Sequence, residues 1–384
     1  MKVIIIVDSP FPPNTGLTIR MYELARSLIR RGHKVYMISQ GKSRKIINFD
    51  GIKVIQIGIR VKKNLFEHFS RFRYALKARK SIKTFGLSDA DFVIGWNFFP
   101  NLAAHMISKK YGIRHICDMT DFGFDFFKAS HPSIAWGPIA KFLEHMECRA
   151  IPRSSYRLVA VSDFMKNVLK KHYGINGEKI NVINDGMYHD IKPNLPKENI
   201  RKKLGIGSEK VIFFLGNMDR HDGVDILFEA FRRMDRHGKK LVFVGGGRKY
   251  YREFKEMVGL SDTSKDVIFT GYVPRGEALN YISIADVGVI PFRRRLATDN
   301  VFTFKFFEYI ALGVPIVCTE IETLSKLIKE KNSGEIVRCD DPESLRRGIE
   351  KVLGGGIKPN PSRFREFWWE NLTRDYSILL ERIR

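Results

Sequence analysis

The run Val3-Ile4-Ile5-Ile6-Val7, the loop Ser9-Pro10-Phe11-Pro12-Pro13-Asn14-Thr15-Gly16, the stretch Met21 to Ile29 and the run Val35-Tyr36-Met37-Ile38 together decide the fold. Five consecutive apolar residues ending at Asp8 read as a strand buried on both faces. Met21, Leu24, Ala25, Leu28 and Ile29 recur at helical spacing until Gly32 stops them. Strand, helix and strand within about forty residues make a βαβ unit, which demands a parallel sheet and a right-handed crossover.

The alternation continues outward. Phe92-Val93-Ile94, Ile113 to Cys117 and Leu158-Val159-Ala160-Val161 are predicted strands, separated by segments of helical length. The pattern breaks at Asn184-Asp185-Gly186, and Met187 to Lys203 carries Pro193 and Pro196 among charged residues, the composition of a linker. A second series follows: strand Val211 to Leu215, a helix with Ile226, Leu227, Ala230, Phe231 and Met234, and strand Leu241 to Val244 closed by Gly245-Gly246-Gly247. Val267-Ile268-Phe269, Val287 to Ile290 and Ile316-Val317-Cys318 extend it. The fold class is therefore α/β, with two Rossmann-like, doubly wound parallel-sheet domains. Expected boundaries are 1–190 and 191–361, followed by a helix over 362–384. In that last segment Phe364, Trp368, Leu372, Tyr376, Leu379 and Ile383 share one stripe behind a Ser362 cap, so the helix is expected to cross back onto domain one.

Composition agrees. At roughly 100–200 residues per domain, 384 residues with 44% hydrophobic and 12% aromatic content fit two domains and exclude disorder as the main state. Cys117, Cys148, Cys318 and Cys339 lie far apart without a C-x-x-C pair, which excludes a disulfide framework and a zinc site. The first apolar run is too short for a signal-peptide core, and no uncharged stretch approaches the roughly 18–20 residues that span a bilayer, so a cytoplasmic protein is expected. The net charge of +24 points to a polyanionic partner: nucleic acid, an anionic membrane surface or a phosphate-bearing small molecule.

In open parallel sheets, ligands bind beyond the carboxyl ends of the strands, where helix N-termini favour anions. Gly16, the Gly216 to Gly223 loop and Gly245-Gly246-Gly247 occupy such positions, and each also fits an ordinary strand-to-helix turn. None matches G-x-G-x-x-G or G-x-x-x-x-G-K-[ST], which counts against dinucleotide oxidoreductases and P-loop NTPases. The most informative segment runs from Asp299 to Val317, where a helix carrying Phe307, Ile310 and Ala311 inward ends at Gly313 and feeds a buried strand. Lys305 and Glu308 stand one turn apart on it; by spacing alone they are a surface ion pair worth a few tenths of a kcal/mol.

The segment Lys305-Phe306-Phe307-Glu308-Tyr309-Ile310-Ala311-Leu312-Gly313-Val314-Pro315 resembles the K-x-x-E-Y-x-A-x-G-x-P signature of the retaining glycosyltransferases of family 4. Arg20 to Val35, Val161-Ser162, Asn184-Asp185-Gly186, Phe214-Leu215-Gly216 through Gly223-Val224-Asp225, Val244 to Gly247, Gly271-Tyr272-Val273 and Ala285-Asp286-Val287 resemble further pieces of that family in its order. The resemblance implies GT-B architecture, with the two domains facing across a cleft, and transfer from a nucleotide-diphosphate sugar to a glycan or lipid-linked acceptor with retention. It implies that Glu308 binds the donor ribose, while the Gly16, Gly216 and Gly246 loops and the Thr303 region surround diphosphate and sugar; Lys305 and Arg220 are further candidates for donor binding. No obligatory cofactor or metal follows from it.

Four positions depart from the family. Asn300 stands at the first acidic position of its E-x7-E and is expected to contact the sugar by its amide. Asn217 and Asp222 replace the Arg and Lys that hold the diphosphate, and Arg220 and His221 lie between them as substitutes. Where many members carry His, this chain reads Asp118-Met119-Thr120-Asp121, and Asp121 is the candidate for positioning the sugar or the acceptor nucleophile.

Residues 60–83 carry nine Lys and Arg against Glu67, with Leu65, Phe69, Phe72 and Leu76 on one face. This composition fits a helix on anionic lipid and equally a helix whose aromatics pack into domain one. Asp89-Ala90-Asp91 matches the D-x-D metal motif of another glycosyltransferase fold but runs straight into a strand, so Asp91 reads as a turn residue. A nucleotide-sugar epimerase of the same fold, or an inactive polyanion-binding protein, remain alternatives. Nucleic acid is the less fitting partner, because no aromatic-interleaved recognition motif is present.

Overall fold

The computed structural model describes residues 1–11, 16–59, 67–130, 137–247 and 249–384. They form two compact units, Met1–Gly186 with Trp369–Arg384, and Met187–Trp368.

The first unit is built on β1 (Lys2–Pro10), β2 (Lys34–Gln40), β3 (Arg44–Phe49), β4 (Ile52–Ile57), β5 (Phe92–Trp96), β6 (Arg114–Met119), β7 (Arg157–Ala160) and β8 (Ile180–Val182), in the order β3-β4-β2-β1-β5-β6-β7-β8. Val3 to Val7 are all fully buried, as a central strand with helices on both faces requires. The sheet is parallel except at β3, which pairs antiparallel with β4. That edge hairpin went unread in the sequence. Its turn residues, Asp50 and Gly51, have φ of 49° and 77°, the two positive values that a two-residue type I′ turn needs.

The second unit holds β9 (Lys210–Leu215), β10 (Lys239–Val244), β11 (Val267–Phe269), β12 (Val287–Ile290), β13 (Ile316–Thr319) and β14 (Gly334–Val337), parallel throughout, in the order β11-β10-β9-β12-β13-β14. Alternate residues of β9 serve opposite faces. Val211 and Phe213 join Phe306, Phe307 and Tyr309 in one core, while Ile212 and Phe214 join Phe228 and Phe243 in the other.

The chain changes unit at Gly186/Met187 and Trp368/Trp369 rather than at 190/191 and 361/362. Met187 is buried, bridges Trp368 and donates its N–H to Phe367 O at 2.8 Å. The supposed linker therefore starts inside the second unit, and it contains the helix Lys197–Leu204. Nor is the C-terminal stripe one helix. A 3₁₀ segment, Pro361–Phe367, capped by Asn360 rather than Ser362, gives Phe364 and Phe367 to the second core. Trp368 is extended, with ψ of 134°. The helix Trp369–Arg382 then buries Leu372, Tyr376 and Leu380 in the first unit. There it lies along the helix Gly16–Arg30, with Ser27 and Ser377 hydroxyls 3.0 Å apart.

One buried cation organises this part of the first unit. Arg20 Nε donates to Asp118 Oδ1 at 3.0 Å, Nη2 to Asp118 Oδ2 at 3.2 Å and Ile183 O at 2.9 Å, and Nη1 to Asn184 O at 2.8 Å and Asp185 Oδ1 at 3.1 Å. The Tyr376 ring lies 5.9 Å from its guanidinium carbon. Arg20→Met leaves two buried carboxylates without their cation, and urea unfolding is expected to lose about 3–5 kcal/mol; an unchanged transition would refute the clamp.

Candidate functional site

The carboxyl ends of β9, β10 and β11 are laced together by backbone hydrogen bonds. Gly216 N–H donates to Val244 O at 3.0 Å, Gly245 N–H to Gly271 O at 2.9 Å and Met218 N–H to Gly246 O at 3.1 Å. Gly245 has φ of +119°, and a Cβ there would stand 2.1 Å from Gly216 O. Only glycine permits the two loops to approach so closely. Tyr272, 80% exposed, presents an aromatic face on the adjoining loop after β11.

Against these loops stands the helix Phe304–Ala311. Phe306, Phe307 and Ile310 anchor it in the core, and Tyr309 sets its height by accepting Leu215 N–H on its hydroxyl at 3.0 Å. Lys305 and Glu308 are both buried, at 7% exposure each. They are not a surface pair. Lys305 Nζ sits 4.4 Å from the Phe214 ring centroid and 4.6 Å from that of Phe292, and a Cβ on Gly216 would come within 3.0 Å of it. It has no hydrogen-bond partner among the described residues, and its nearest carboxylate oxygen, Asp222 Oδ1, is 3.7 Å away. Burial lowers its pKa, opposed by Asp222. Glu308 instead faces Arg275, Nη2 to Oε1 at 3.0 Å; burial raises the Glu308 pKa, and Arg275 and then Lys305 oppose the rise.

The other predicted donor residues fall around this centre. Thr303 is the N-cap residue of the Lys305 helix, without a side-chain cap, and Asn300 is buried at the end of the short helix Leu296–Asp299. Arg220 is exposed and rests its guanidinium 5.1 Å from the Tyr250 ring centroid. Asp222 is buried, with Oδ2 accepting Asp219 N–H at 3.0 Å. The cation in contact with the glycine loops is thus Lys305, supplied from a different element than the family's Arg and Lys positions.

Two predicted residues belong to the first unit. Gly16 opens the helix Gly16–Arg30, and the loop before it, residues 12–15, lies outside the described residues. Asp121, half-buried, follows β6 and is gripped by Asn97, a residue the sequence reading missed. Asn97 Oδ1 accepts the Thr120 amide at 2.9 Å, its hydroxyl at 3.1 Å and the Asp121 amide at 3.3 Å, while Nδ2 donates to Asp121 Oδ2 at 3.2 Å. Asn97 adopts φ 59°, ψ −168°, a region nearly reserved for glycine, and such strain gathers at functional sites. Next to it Glu147, in the π-turn Met146–Ala150, accepts the Gly123 and Phe124 amides at 3.0 and 2.8 Å.

Comparison with known proteins places both halves. The family model described as Glycosyltransferase Family 4 matches residues 14–190, and that described as Glycosyl transferases group 1 matches 196–366. An uncharacterised glycosyltransferase of Methanocaldococcus jannaschii is 25% identical over 98% of this chain and 98% of its own length. The chain is a GT-B glycosyltransferase of the family 4 type. A GDP-mannose-dependent α-(1-6)-phosphatidylinositol monomannoside mannosyltransferase of Mycolicibacterium smegmatis is 25% identical over 41% of this chain and 42% of its own. Anabaena HepE, solved in complex with UDP-glucose, shares the fold with a TM-score of 0.68 at 13% identity, covering 100% of this chain and 97% of that one.

In this glycosyltransferase no helix among the described residues is long and apolar enough to cross a membrane. No group of three or more His, Cys, Asp and Glu among them is arranged to hold a metal ion. Asp91 Oδ2 accepts Lys2 N–H at 2.7 Å, so the D-x-D match staples the start of β1. Of the basic segment, 60–66 lie outside the described residues. The helix Glu67–Thr84 buries Tyr74, Ala75, Ala78 and Ile82, and leaves Phe69 and Phe72 exposed at 62% and 43%.

Burial pushes the Glu147 carboxyl up to about 8, against its two amide bonds, from 4.5 in a free chain. Between those values the folded enzyme keeps a proton that the unfolded chain has released, so stability falls as pH rises across the window. Glu147→Gln is expected to flatten that fall in Tm; an unaltered pH dependence would show that Glu147 does not hold the proton.

Proposed function

We propose that the enzyme transfers a hexose from a nucleotide-diphosphate sugar to a glycan or lipid-linked acceptor with retention of configuration. The observation that carries this reading is the buried Lys305 ammonium against the Gly216 loop, with no hydrogen-bond partner among the described residues, one turn from the buried Glu308 carboxylate. A buried cation without hydrogen bonds is costly. A diphosphate on those loops supplies the acceptors Lys305 lacks, and a carboxylate at Glu308 suits the vicinal hydroxyls of a ribose. The UDP-glucose of the Anabaena protein and the GDP-mannose dependence of the mycobacterial relative support a nucleotide-sugar donor.

In the proposed step the bond from anomeric carbon to diphosphate oxygen breaks. The acceptor hydroxyl oxygen bonds that carbon on the same face, and its proton passes to the departing phosphate. Lys305 stabilises the charge developing on the leaving group, so no obligatory metal cofactor is assigned. Asn300 and Thr303 are assigned to the sugar, exposed Arg220 to the phosphates, and Asp121, fixed by Asn97, to positioning sugar or acceptor. The exposed Phe69 and Phe72, on one stripe with exposed Arg73, Lys80 and Lys83, support an anionic membrane as partner and a lipid-linked acceptor met at the cytosolic face.

Thermal shift against UDP, GDP, ADP, TDP and their sugars tests the donor, since a ligand at one hundred times its Kd adds about 2.7 kcal/mol. One base is expected to stand out. Glu308→Ala should abolish its shift, and Lys305→Met should abolish the advantage of the diphosphate over the bare nucleoside. Cooperative melting unmoved by every nucleotide would overturn the assignment. For the membrane, vesicles with phosphatidylglycerol should retain the enzyme and pure phosphatidylcholine should not, with Phe69→Ala/Phe72→Ala weakening retention; equal retention on both lipids would refute it.

A further inference from the structure

Glu308 is a buried carboxylate on a helix whose other buried residues, Lys305 apart, are aromatic or aliphatic. Two cations act on it, and a second carboxylate faces one of them. Lys305 shares its helix, and Asp222 faces Lys305 from the turn Arg220–Asp222 at 3.7 Å, drawing that cation toward the phosphate loop. Arg275, from the start of the helix Arg275–Ile282, is the one that reaches Glu308 itself, at 3.0 Å. Its guanidinium is braced at the other side by the Phe304 ring, 4.6 Å from the centroid, and stays partly exposed, at 31%. Arg275 follows Gly271-Tyr272-Val273-Pro274, so the loop carrying the exposed Tyr272 delivers it to the site.

We propose that Arg275 is a positioning residue for the nucleotide-sugar donor, acting through Glu308, whose carboxylate it holds at Oε1 for the ribose hydroxyls. The inference rests on the donor reading above. A carboxylate in an apolar wall protonates readily unless a cation stands beside it. Once protonated, Glu308 loses an acceptor that two hydroxyls require, and donor binding weakens. The direction of the Glu308 shift agrees: burial raises its pKa, and Arg275 opposes the rise more than Lys305 does. Arg275 therefore sets the acid limit of donor binding. A lysine at 275 keeps the charge, whereas methionine keeps only the bulk.

The test is calorimetric titration of the full-length protein with the nucleoside diphosphate that stabilises it most, between about pH 5.5 and 8.5. Arg275→Met should lower affinity about ten-fold or more at the acid end and less than about three-fold at the alkaline end. Arg275→Lys should restore most of the acid-side loss. In a Glu308→Gln background, where the carboxyl that Arg275 faces is gone, Arg275→Met should add no pH dependence. Loss of affinity that is uniform with pH and persists in Glu308→Gln would overturn the proposal, since Arg275 would then touch the nucleotide directly. Wild-type affinity in Arg275→Met at every pH would also overturn it. If the wild type binds no nucleotide, the donor reading fails on its own, and a ¹³C carboxyl titration of Glu308 decides the Arg275 contact: an unmoved midpoint in Arg275→Met refutes it.

Discussion

The buried guanidinium of Arg20 is the constraint on which the architecture of the first unit depends. Its donors are divided between the end of β6, through Asp118, and the last residues before the chain leaves this unit, through Ile183, Asn184 and Asp185. The Tyr376 ring over it brings in the returning C-terminal helix. Taking one cation and two carboxylates out of water is expensive, and such networks contribute little net stability against an apolar alternative. Their effect is geometric. Hydrogen bonds of fixed length at five atoms admit one placement of strand end, exit segment and helix, and the loop bearing Asp121 follows directly from the strand that Asp118 closes.

The second unit organises its site by a different means, the exclusion of side chains. Gly216 and Gly245 meet backbone to backbone, and the space a Cβ would fill is where Lys305 Nζ arrives. The Tyr309 hydroxyl on Leu215 fixes the helix that carries it. Lys305 thereby sits between the Phe214 and Phe292 rings and Glu308 is buried one turn on, and each faces an opposite charge from a separate element, Asp222 and Arg275. Buried charge of this kind costs the fold stability, a trade often seen at active sites.

Much of the fold was legible because strand and helix periods are local. The runs at Val3, Val35, Phe92, Leu158, Val211, Leu241, Val287 and Ile316 all became strands, and the glycine loops fell at their carboxyl ends. The Asp50-Gly51 hairpin was legible too but unread, since its strands alternate weakly against charged residues. The C-terminal stripe misled for a definite reason. Residues four apart align on a helix wheel whether or not the helix is continuous, and the extended backbone of Trp368 sends Phe364 and Tyr376 to different cores.

What the sequence by itself determined is the βα alternation, the parallel core of both sheets and the signature that singles out Lys305 and Glu308. All of these are read along one dimension, from spacing and residue type. What only the tertiary structure decided is how charges pair. Spacing made Lys305 and Glu308 partners of each other, whereas the folded chain gives Lys305 to the glycine loops and Glu308 to Arg275. Asn97 and Asp121, 24 positions apart, became one group in the same way. Desolvation and pairing act through space, over a few ångströms that no sequence interval measures, so the choice of partner waits for the fold.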